Sequence, residues 1–382
     1  MTSPALTRRG FGTLIGTAIG GALIAGQPAR AGAKLPATSP KAPAGPVRLD
    51  SNENPYGPSP RAMEAMSRAR ETAARYPDDL EDRVSERLAS LHAVQLENVL
   101  LGCGSGEILR MADMAFLESG KRVVAAEPTF EAVLAYARAI RADPVTVPLT
   151  SDFRHDLPGM AAACNAGTGL VYVCNPNNPT GTIVKRDELQ RFLQALPEGV
   201  VALVDEAYHH FVEDPRYASA VEWIGARPRL VVARTFSKIY GLAGMRLGYA
   251  LGRKEEIAAM RPHKTWSNAN AAVLEAALAS LEDPGHVERQ RRMMNDTRRA
   301  LCSELEKDGR RYIPSHANFV MIEMGRDVGE VVEALRARQM FVGRRFAALP
   351  TWLRVSIGTR EEMTAFLSAL RAVAPPAAQQ VA

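Results

Sequence analysis

The sequence predicts an α/β fold, in which a large domain with a mostly parallel central sheet flanked by helices precedes a smaller α/β domain. Between about residues 95 and 250, near-continuous runs of Val, Leu and Ala alternate with amphipathic helical segments. Such runs suit strands covered on both faces, and their alternation with helices is the βαβ pattern of an open sheet. After Pro284 the pattern changes to one long charged segment and several shorter elements.

The large domain has four clearly predicted strands, at residues 122–126, 169–174, 200–205 and 230–235, with helices such as 131–140 and 185–196 between them. The smaller domain is predicted to contain a long helix at 286–308, an extended segment at 317–323, a helix at 328–338, strands near Phe341 and at 353–357, and a last helix from Arg360. The predicted limits are therefore 76–284 for the large domain and 285–375 for the small one. Residues 47–75 are predicted to form an N-terminal segment that packs with the small domain.

Composition narrows the class of protein. The chain has 382 residues, 46% of them hydrophobic, which is ample for a sizeable core. The formal net charge is +5, and three of the positive charges (Arg8, Arg9 and Arg30) lie near the N-terminus. The rest of the sequence contains no Lys/Arg run or basic–aromatic stripe, so a nucleic-acid partner is not expected.

Residues 1–31 read as an export signal. Thr7-Arg8-Arg9-Gly10-Phe11 is a twin-arginine pattern, an apolar Gly/Ala-rich stretch follows, and Ala29-Arg30-Ala31 is a cleavage-site pattern. The alternative, a membrane anchor, is disfavoured because the apolar stretch is short for a bilayer of roughly 30 Å. Residues 32–46 are Pro/Ala-rich and are predicted to be a flexible tether. We therefore expect a periplasmic protein with no stable membrane insertion.

Polar residues follow two predicted strands of the large domain, where open α/β sheets bind their ligands. Asp205 ends the strand at 200–205 and can serve either as a counter-charge for a protonated cofactor ring or as a helix N-cap. Lys238 follows the strand at 230–235, with Thr235, Ser237 and Arg246 nearby in sequence. A desolvated lysine there can attack an aldehyde, and the hydroxyls and arginine can hold a phosphate, although an isolated lysine after a strand is usually an ordinary surface residue.

Two further motifs lie in turns. Gly102-Cys103-Gly104-Ser105-Gly106 opens an amphipathic helix, so its free backbone N–H groups can bind an anion, although it can equally be a simple tight turn. The segment 175–182, Asn-Pro-Asn-Asn-Pro-Thr-Gly-Thr, predicts a rigid turn after a buried strand. Such a turn can aim an amide at a ligand oxygen.

These motifs together resemble the class I/II aminotransferases, which are fold-type I enzymes that use pyridoxal 5′-phosphate (PLP). The resemblance spans about residues 49–370 and rests on GxGSxE, EPTF, NPNNPTG, DEAY, SK-x7-R and LRVSIGT in this order. The segments SNENPYG at 51–57 and RYPD at 75–78 are most similar to the histidinol-phosphate aminotransferase branch. Each motif alone is weak evidence for the family, whereas six of them in the family's order are very unlikely to occur by chance.

The resemblance implies a role for each matching residue. Lys238 would form the covalent link to the cofactor and shuttle the proton between the substrate α-carbon and cofactor C4′, Asp205 would pair with the pyridine nitrogen, and Asn178 and Tyr208 would bind the ring oxygen. Phe130 would stack on the ring. The phosphate would be held by the residues Ser105, Gly106, Thr235, Ser237 and Arg246, together with Tyr76 of a neighbouring subunit, which implies a homodimer.

For the substrate, the resemblance implies that Arg354 grips the α-carboxylate, that Tyr56 lines the pocket, and that Asn178 contributes beside the cofactor. In the preceding segment, Arg344 and Arg345 cannot be aligned with certainty to the branch's substrate-phosphate ligand; Arg344 is taken as the candidate. Because export is at odds with histidine biosynthesis, the side chain of the donor stays open. No metal site is expected.

Three functions are compatible with these residues. The first is transfer of an amino group from an amino acid or amino-alcohol phosphate to a 2-oxo acid. The second is decarboxylation on the same fold, similar to threonine-phosphate decarboxylases. The third, a non-catalytic regulator, is disfavoured because Lys238 is present and no N-terminal helix-turn-helix pattern is found.

Overall fold

The computed structural model describes residues 45–117 and 120–376, which all belong to one compact unit, Pro40–Ala382. The predicted export signal at 1–31 and residues 32–44 of the predicted tether lie outside the described residues. Within the described ranges, no helix is both long and apolar enough to cross a membrane.

The described residues form strands and helices that alternate through the first two thirds of the chain. The strands are β1 Val47–Leu49, β2 Val99–Gly102, β3 Arg122–Glu127, β4 Asp143–Pro148, β5 Thr168–Cys174, β6 Val201–Asp205, β7 Leu230–Thr235, β8 Gly248–Gly252, β9 Tyr312–Ile313, β10 Phe319–Glu323, β11 Met340–Val342 and β12 Trp352–Ser356. The α-helices are α1 Pro60–Arg68, α2 Asp78–His92, α3 Ser105–Phe116, α4 Ala132–Ala139, α5 Leu157–Ala163, α6 Arg186–Ala195, α7 Lys254–Met260, α8 Ala271–Leu281, α9 Pro284–Lys307, α10 Gly329–Arg336 and α11 Arg360–Val373.

A seven-stranded sheet forms the centre of the larger part of the fold, in the order β2-β8-β7-β6-β5-β3-β4. The strands from β7 to β4 are parallel, whereas β8 runs antiparallel to both of its neighbours. Every residue of β5, β6 and β7 is buried, as expected for strands covered by helices on both faces. The predicted α/β class with a mostly parallel sheet is therefore confirmed, and the four predicted strands agree with β3, β5, β6 and β7 to within one residue.

The register of the sheet brings the chemically interesting loops together. Cys174 at the end of β5 is paired with Asp205 at the end of β6, and Asp205 is in turn paired with Ala233 of β7. The Asn-rich turn that follows β5, the segment after Asp205 and the loop that contains Lys238 therefore leave the sheet at one edge. This is the edge at which ligands bind in open α/β sheets.

The C-terminal part carries two small sheets. One has the order β12-β10-β9 and is antiparallel, and the other pairs β1 in parallel with β11. The pairing of Val47–Leu49 with Met340–Val342 joins the N-terminal segment to C-terminal elements, whereas α1 of the same segment packs against α8. The predicted boundary at residues 284 and 285 coincides with the first turn of α9 and stays a prediction.

Candidate active site

A cavity of about 700 Å³ opens at the carboxyl edge of the large sheet. It is lined by twelve of the fourteen residues predicted for the site, which are Ser105, Gly106, Phe130, Asn178, Asp205, Tyr208, Thr235, Ser237, Lys238, Arg246, Arg344 and Arg354. These residues come from the start of α3, from the last residues of β6 and β7, from β12, and from the loops that follow β3, β5, β6, β7 and β11. The fold thus gathers groups that lie as far apart in sequence as Ser105 and Arg354.

Lys238 lies in the loop after β7, and its side chain is only partly accessible, through the cavity. Its Nζ donates hydrogen bonds to the backbone oxygens of Ser51, at 3.2 Å, and Asn52, at 3.0 Å. Burial, reinforced by the nearby positive charge of Arg354, lowers the pKa of Lys238 to about 8. An amine with this pKa is available in its neutral, nucleophilic form near physiological pH.

Asp205 is almost fully buried at the end of β6. Its Oδ2 accepts a 3.0 Å hydrogen bond from the hydroxyl of Tyr172, and its Oδ1 accepts one from the backbone N–H of Ala207. Burial raises the pKa of Asp205 to about 6, and the Tyr172 hydrogen bond opposes that rise. A carboxylate held in this way suits a cationic partner in the cavity, because such a partner would restore the charge balance that burial disturbs.

Two polar side chains mark the middle of the cavity. The Tyr208 hydroxyl accepts a 3.1 Å hydrogen bond from Asn52 Nδ2, and burial raises the pKa of this phenol. Asn178 Oδ1 accepts a 2.7 Å hydrogen bond from Arg354 Nη1. Both side chains are buried, so neither is free to rotate into bulk solvent.

The anion-binding end of the cavity is built around the first turn of α3, which begins at Ser105. The preceding Gly104 has a φ of +78°, and a Cβ there would collide with the guanidinium of Arg246, so only glycine permits this approach. Arg246 Nη1 also lies 3.5 Å from Ser237 Oγ. Backbone N–H groups of a helix start, one guanidinium and one hydroxyl are groups that suit an anion such as a phosphate.

The opposite end of the cavity has two arginines beside one aromatic ring. The guanidinium carbon of Arg344 lies 4.4 Å from the centre of the Phe346 ring, and that of Arg354 lies 5.2 Å from it. Arg354 Nη2 donates to the backbone oxygen of Asp50, whereas its buried Nε has no hydrogen-bond partner among the described residues. Arg345, the other arginine of the ambiguous pair, instead forms an ion pair with Asp327, so Arg344 is the one that faces the cavity.

Two predicted site residues do not line this cavity within the chain. The phenol of Tyr56 lies near Thr297 of α9, and its charged neighbours are Glu361, Arg360 and Glu362 at the start of α11. Tyr76 is 82% exposed and lies in a separate surface depression with Arg75 and Asn270. The roles assigned to these two tyrosines stay predictions.

Several residues that contribute to the cavity were not identified from the sequence. Asn52 lies inside the recognised SNENPYG segment, so the motif itself could have drawn attention to its contact with Tyr208. Tyr172 does not line the cavity itself, but its hydroxyl binds Asp205. It lies in a continuous apolar run, so the sequence does not reveal this contact. Glu131, Tyr136 and Phe346 also line the cavity and have no local sequence signal.

The four cysteines are not joined in disulfides, and one of them, Cys174, lines the cavity. Cys103, Cys164, Cys174 and Cys302 are all free thiols, and Cys174 alone of the four is buried. In the part of the chain that the structure describes, no group of three His, Cys, Asp or Glu residues could hold a metal ion.

Comparison with known proteins identifies the family. The model for aminotransferase class I and II matches residues 44–370 of the chain. The chain belongs to the class I and II aminotransferases. A histidinol-phosphate aminotransferase of Moorella thermoacetica is 39% identical over 330 residues, which cover 86% of this chain and 85% of the relative. One of Symbiobacterium thermophilum is 40% identical over 327 residues, which cover 85% and 90%.

Among solved structures, histidinol-phosphate aminotransferase of Sinorhizobium meliloti in complex with PLP superimposes with a TM-score of 0.82 at 28% identity, covering 88% of this chain and 91% of that one. The predicted fold-type I architecture, the PLP cofactor and the aminotransferase activity are therefore confirmed. The protein is therefore a PLP-dependent aminotransferase.

The residues of the cavity fit PLP. The helix start with Arg246 and Ser237 suits the phosphate, buried Asp205 suits the protonated pyridine nitrogen, and the hydrogen-bonding groups of Asn178 and Tyr208 suit the ring oxygen. Phe130, 39% exposed, lines the wall where a flat ring would lie. When bound, the cofactor delocalises negative charge that develops on the substrate α-carbon.

The chain's own residues supply the remaining tasks of the reaction. Lys238 Nζ, with its lowered pKa, can accept and return a proton near neutral pH. Asp205 keeps its negative charge with the help of the Tyr172 hydrogen bond. The buried guanidinium of Arg354 lies in the same cavity, where contact with an anionic group would orient a ligand toward Lys238.

Proposed function

We propose that the donor is a primary amine with an anionic group, either an amino-alcohol phosphate of the histidinol-phosphate type or an acidic amino acid, and that the acceptor is a 2-oxo acid. The observation that carries this proposal is the buried Arg354, which lines the cavity and whose Nε has no hydrogen-bond partner among the described residues. A buried guanidinium N–H without a partner is costly, so an anionic ligand group is its natural complement.

Two further observations support this donor class. Arg344 places a second positive charge beside the same Phe346 ring, which suits a dianionic phosphate or a second carboxylate. The relatives from Moorella thermoacetica and Symbiobacterium thermophilum are histidinol-phosphate aminotransferases.

A donor screen with the purified holoenzyme tests the proposal. Histidinol phosphate, glutamate and leucine are each offered with 2-oxoglutarate, or with pyruvate when glutamate is the donor, and keto-product formation is followed. We call histidinol phosphate and glutamate the anionic donors because they carry a phosphate or a second carboxylate, whereas leucine, whose only anionic group is its α-carboxylate, is the neutral donor. We expect the two anionic donors to be used with higher kcat/KM than leucine. Preference for leucine would contradict the proposal, and release of carbon dioxide without a keto product would identify a decarboxylase instead.

Arg354→Lys sharpens the same test, because lysine keeps the charge but loses the planar fork that binds an anion with two hydrogen bonds. We expect KM for the anionic donors to rise about tenfold or more, the equivalent of one strong charge-assisted hydrogen bond. Arg345→Lys is the matched control, since Arg345 pairs with Asp327 outside the cavity. An equal effect of both substitutions would contradict the assigned role of Arg354.

We propose, as a second element of function, that the enzyme works as a homodimer in which Tyr76 of each subunit completes the partner's phosphate site. The high exposure of Tyr76 and its absence from the cavity of its own chain support this arrangement. Hybrid dimers of Tyr76→Ala and Lys238→Ala subunits test it, since one of their two sites would then be intact. Activity in the hybrid above that of both parent variants is expected, and its absence would contradict the proposal.

We also propose that the enzyme is exported in folded form by the twin-arginine route. The supporting pattern is Arg8-Arg9 followed by an apolar stretch and an Ala-x-Ala site, all outside the described residues. Replacing both arginines by lysine should retain the active enzyme in the cytoplasm. Unchanged activity in the periplasmic fraction would contradict the proposal.

A further inference from the structure

An ion pair crosses the substrate end of the cavity. Arg344 Nη2 lies 2.7 Å from Glu131 Oε2, and both residues line the cavity. Glu131 immediately precedes α4, next to Phe130, whereas Arg344 lies between β11 and β12. The pair therefore links two distant parts of the chain at the wall of the cavity.

The adjacent Arg345 pairs with a different carboxylate. Arg345 is bound by Asp327, with both carboxylate oxygens within 2.9 Å of its Nε, and it does not line the cavity. Arg344 instead stacks on Phe346, the ring that Arg354 also approaches. Two adjacent arginines are thus held by two different carboxylates, and only the one held by Glu131 can reach a ligand.

The negative charge of Glu131 also acts on Arg354. Burial lowers the pKa of Arg354 and the positive charge of Arg344 lowers it further, whereas Glu131 acts in the opposite direction. Glu131 therefore offsets part of the positive charge that two guanidinium groups place at this end of the cavity. A ligand anion at the same place would have to share the cationic groups with this carboxylate.

We propose that Glu131 is a specificity-determining residue, which occupies Arg344 and competes with the anionic group of the donor for it. The inference rests on the proposed function, in which the donor carries such a group. Donors without a second charge leave the Glu131–Arg344 pair intact, whereas phosphate or carboxylate donors must displace the Glu131 carboxylate. The side chain of Glu131 thereby reduces the gain in kcat/KM that Arg344 gives to anionic donors over neutral ones.

The expected size of the effect is modest. The side chains of Arg344 and Glu131 are 55% and 64% exposed, so water and salt screen the pair and little free energy is needed to break it. We expect Glu131→Gln, which keeps the shape and removes the charge, to raise the preference for anionic donors by about two- to fivefold.

The test measures kcat/KM of the holoenzyme for glutamate, histidinol phosphate and leucine, and it uses the anionic-to-neutral ratio as the readout. The ratio should rise in Glu131→Gln, mainly through a lower KM for the anionic donors. Asp327→Asn is the matched control, because it frees the adjacent Arg345 outside the cavity. In an Arg344→Gln background, Glu131→Gln should no longer change the ratio, because the guanidinium for which Glu131 and the donor compete is then absent.

The outcomes separate this inference from the proposed function. An unchanged ratio in Glu131→Gln, an equal rise in Asp327→Asn, or a rise that persists in the Arg344→Gln background would each overturn the role of Glu131. If the unmodified enzyme prefers leucine, the proposed function fails. The inference then depends on whether Glu131→Gln increases transfer from glutamate, which would support it, or leaves that transfer unchanged, which would overturn it.

Discussion

The Tyr172 hydroxyl donates a 3.0 Å hydrogen bond to Asp205 Oδ2, and both residues are buried in neighbouring strands, β5 and β6. Tyr172 lies two residues before Cys174, the residue paired with Asp205 in the sheet, and its hydroxyl reaches the Asp205 carboxylate from the neighbouring strand. The contact ties the charge state of the cavity's central carboxylate to a residue in the sheet core.

Tyr172→Phe should weaken catalysis without changing the fold. Loss of the hydroxyl removes a bond to the charged form of Asp205, so the pKa of this carboxyl rises further above its ordinary value. We expect kcat/KM to fall about tenfold, the effect of one hydrogen bond to a charged group, with the acid limb of the pH profile displaced to higher pH. Tyr249→Phe, a buried hydroxyl bonded to His92 instead, is the control. Coincident pH profiles for Tyr172→Phe and the unmodified enzyme would contradict this role.

Arg246→Gln should weaken cofactor binding. The guanidinium lies against Gly104 at the start of α3 and near Ser237, so its removal takes one cation from the phosphate site. We expect the Kd for PLP, measured by fluorescence titration of the apoenzyme, to rise about 10- to 100-fold. Arg191→Gln breaks only an exposed helical ion pair with Asp187 and should leave the Kd unchanged. A comparable loss in both variants would rule out the phosphate assignment.

Acid should destabilise the protein through three imidazoles near Arg234, those of His92, His209 and His210. Burial lowers the pKa of His92 to about 3, and burial with the charge of Arg234 lowers the pKa of His209 and His210 well below the ordinary value. These rings stay neutral in the folded state, whereas the unfolded chain binds protons below about pH 6.5. The contribution of these rings to the free energy of unfolding should therefore be constant above that pH and fall as the pH drops below it.

The size of that fall can be measured by thermal unfolding of the holoenzyme. Between about pH 6.5 and pH 5, one imidazole that stays neutral in the folded state costs up to about 2 kcal/mol. His209→Gln should reduce the drop in Tm over this interval, because one of the rings no longer takes up a proton on unfolding. An identical drop in the variant and the unmodified protein would show that His209 does not contribute.

The sequence predicted the parallel strands well because their signal is local. The apolar runs that became β3, β5, β6 and β7 are long, buried on both faces and separated by helical segments. The edge strand β4 is only partly buried, and β8 is buried but has only five residues, of which two are glycines, so neither forms a long apolar run. The pairing of β1 with β11 joins residues almost 300 positions apart and leaves no local trace.

The candidate site likewise contains some residues whose proximity the sequence predicts and others whose contacts it does not. Lys238 and Asp205 follow strands whose ends are fixed by the sheet register, so their proximity could be inferred. The choice between Arg344 and Arg345 could not, because it depends on which carboxylate, Glu131 or Asp327, lies within reach in three dimensions. The contacts of Tyr56 with α9 and α11 are likewise set by tertiary packing.

The central claim is that Lys238 is the residue that binds the cofactor covalently, and it can be tested without a variant. The holoenzyme is reduced with borohydride, which fixes the linkage, and is then digested and analysed by mass spectrometry. The account predicts the pyridoxyl mass on the peptide that contains Lys238, as its position in the cavity and its lowered pKa require. The same mass on a different lysine, with the Lys238 peptide unmodified, would contradict it.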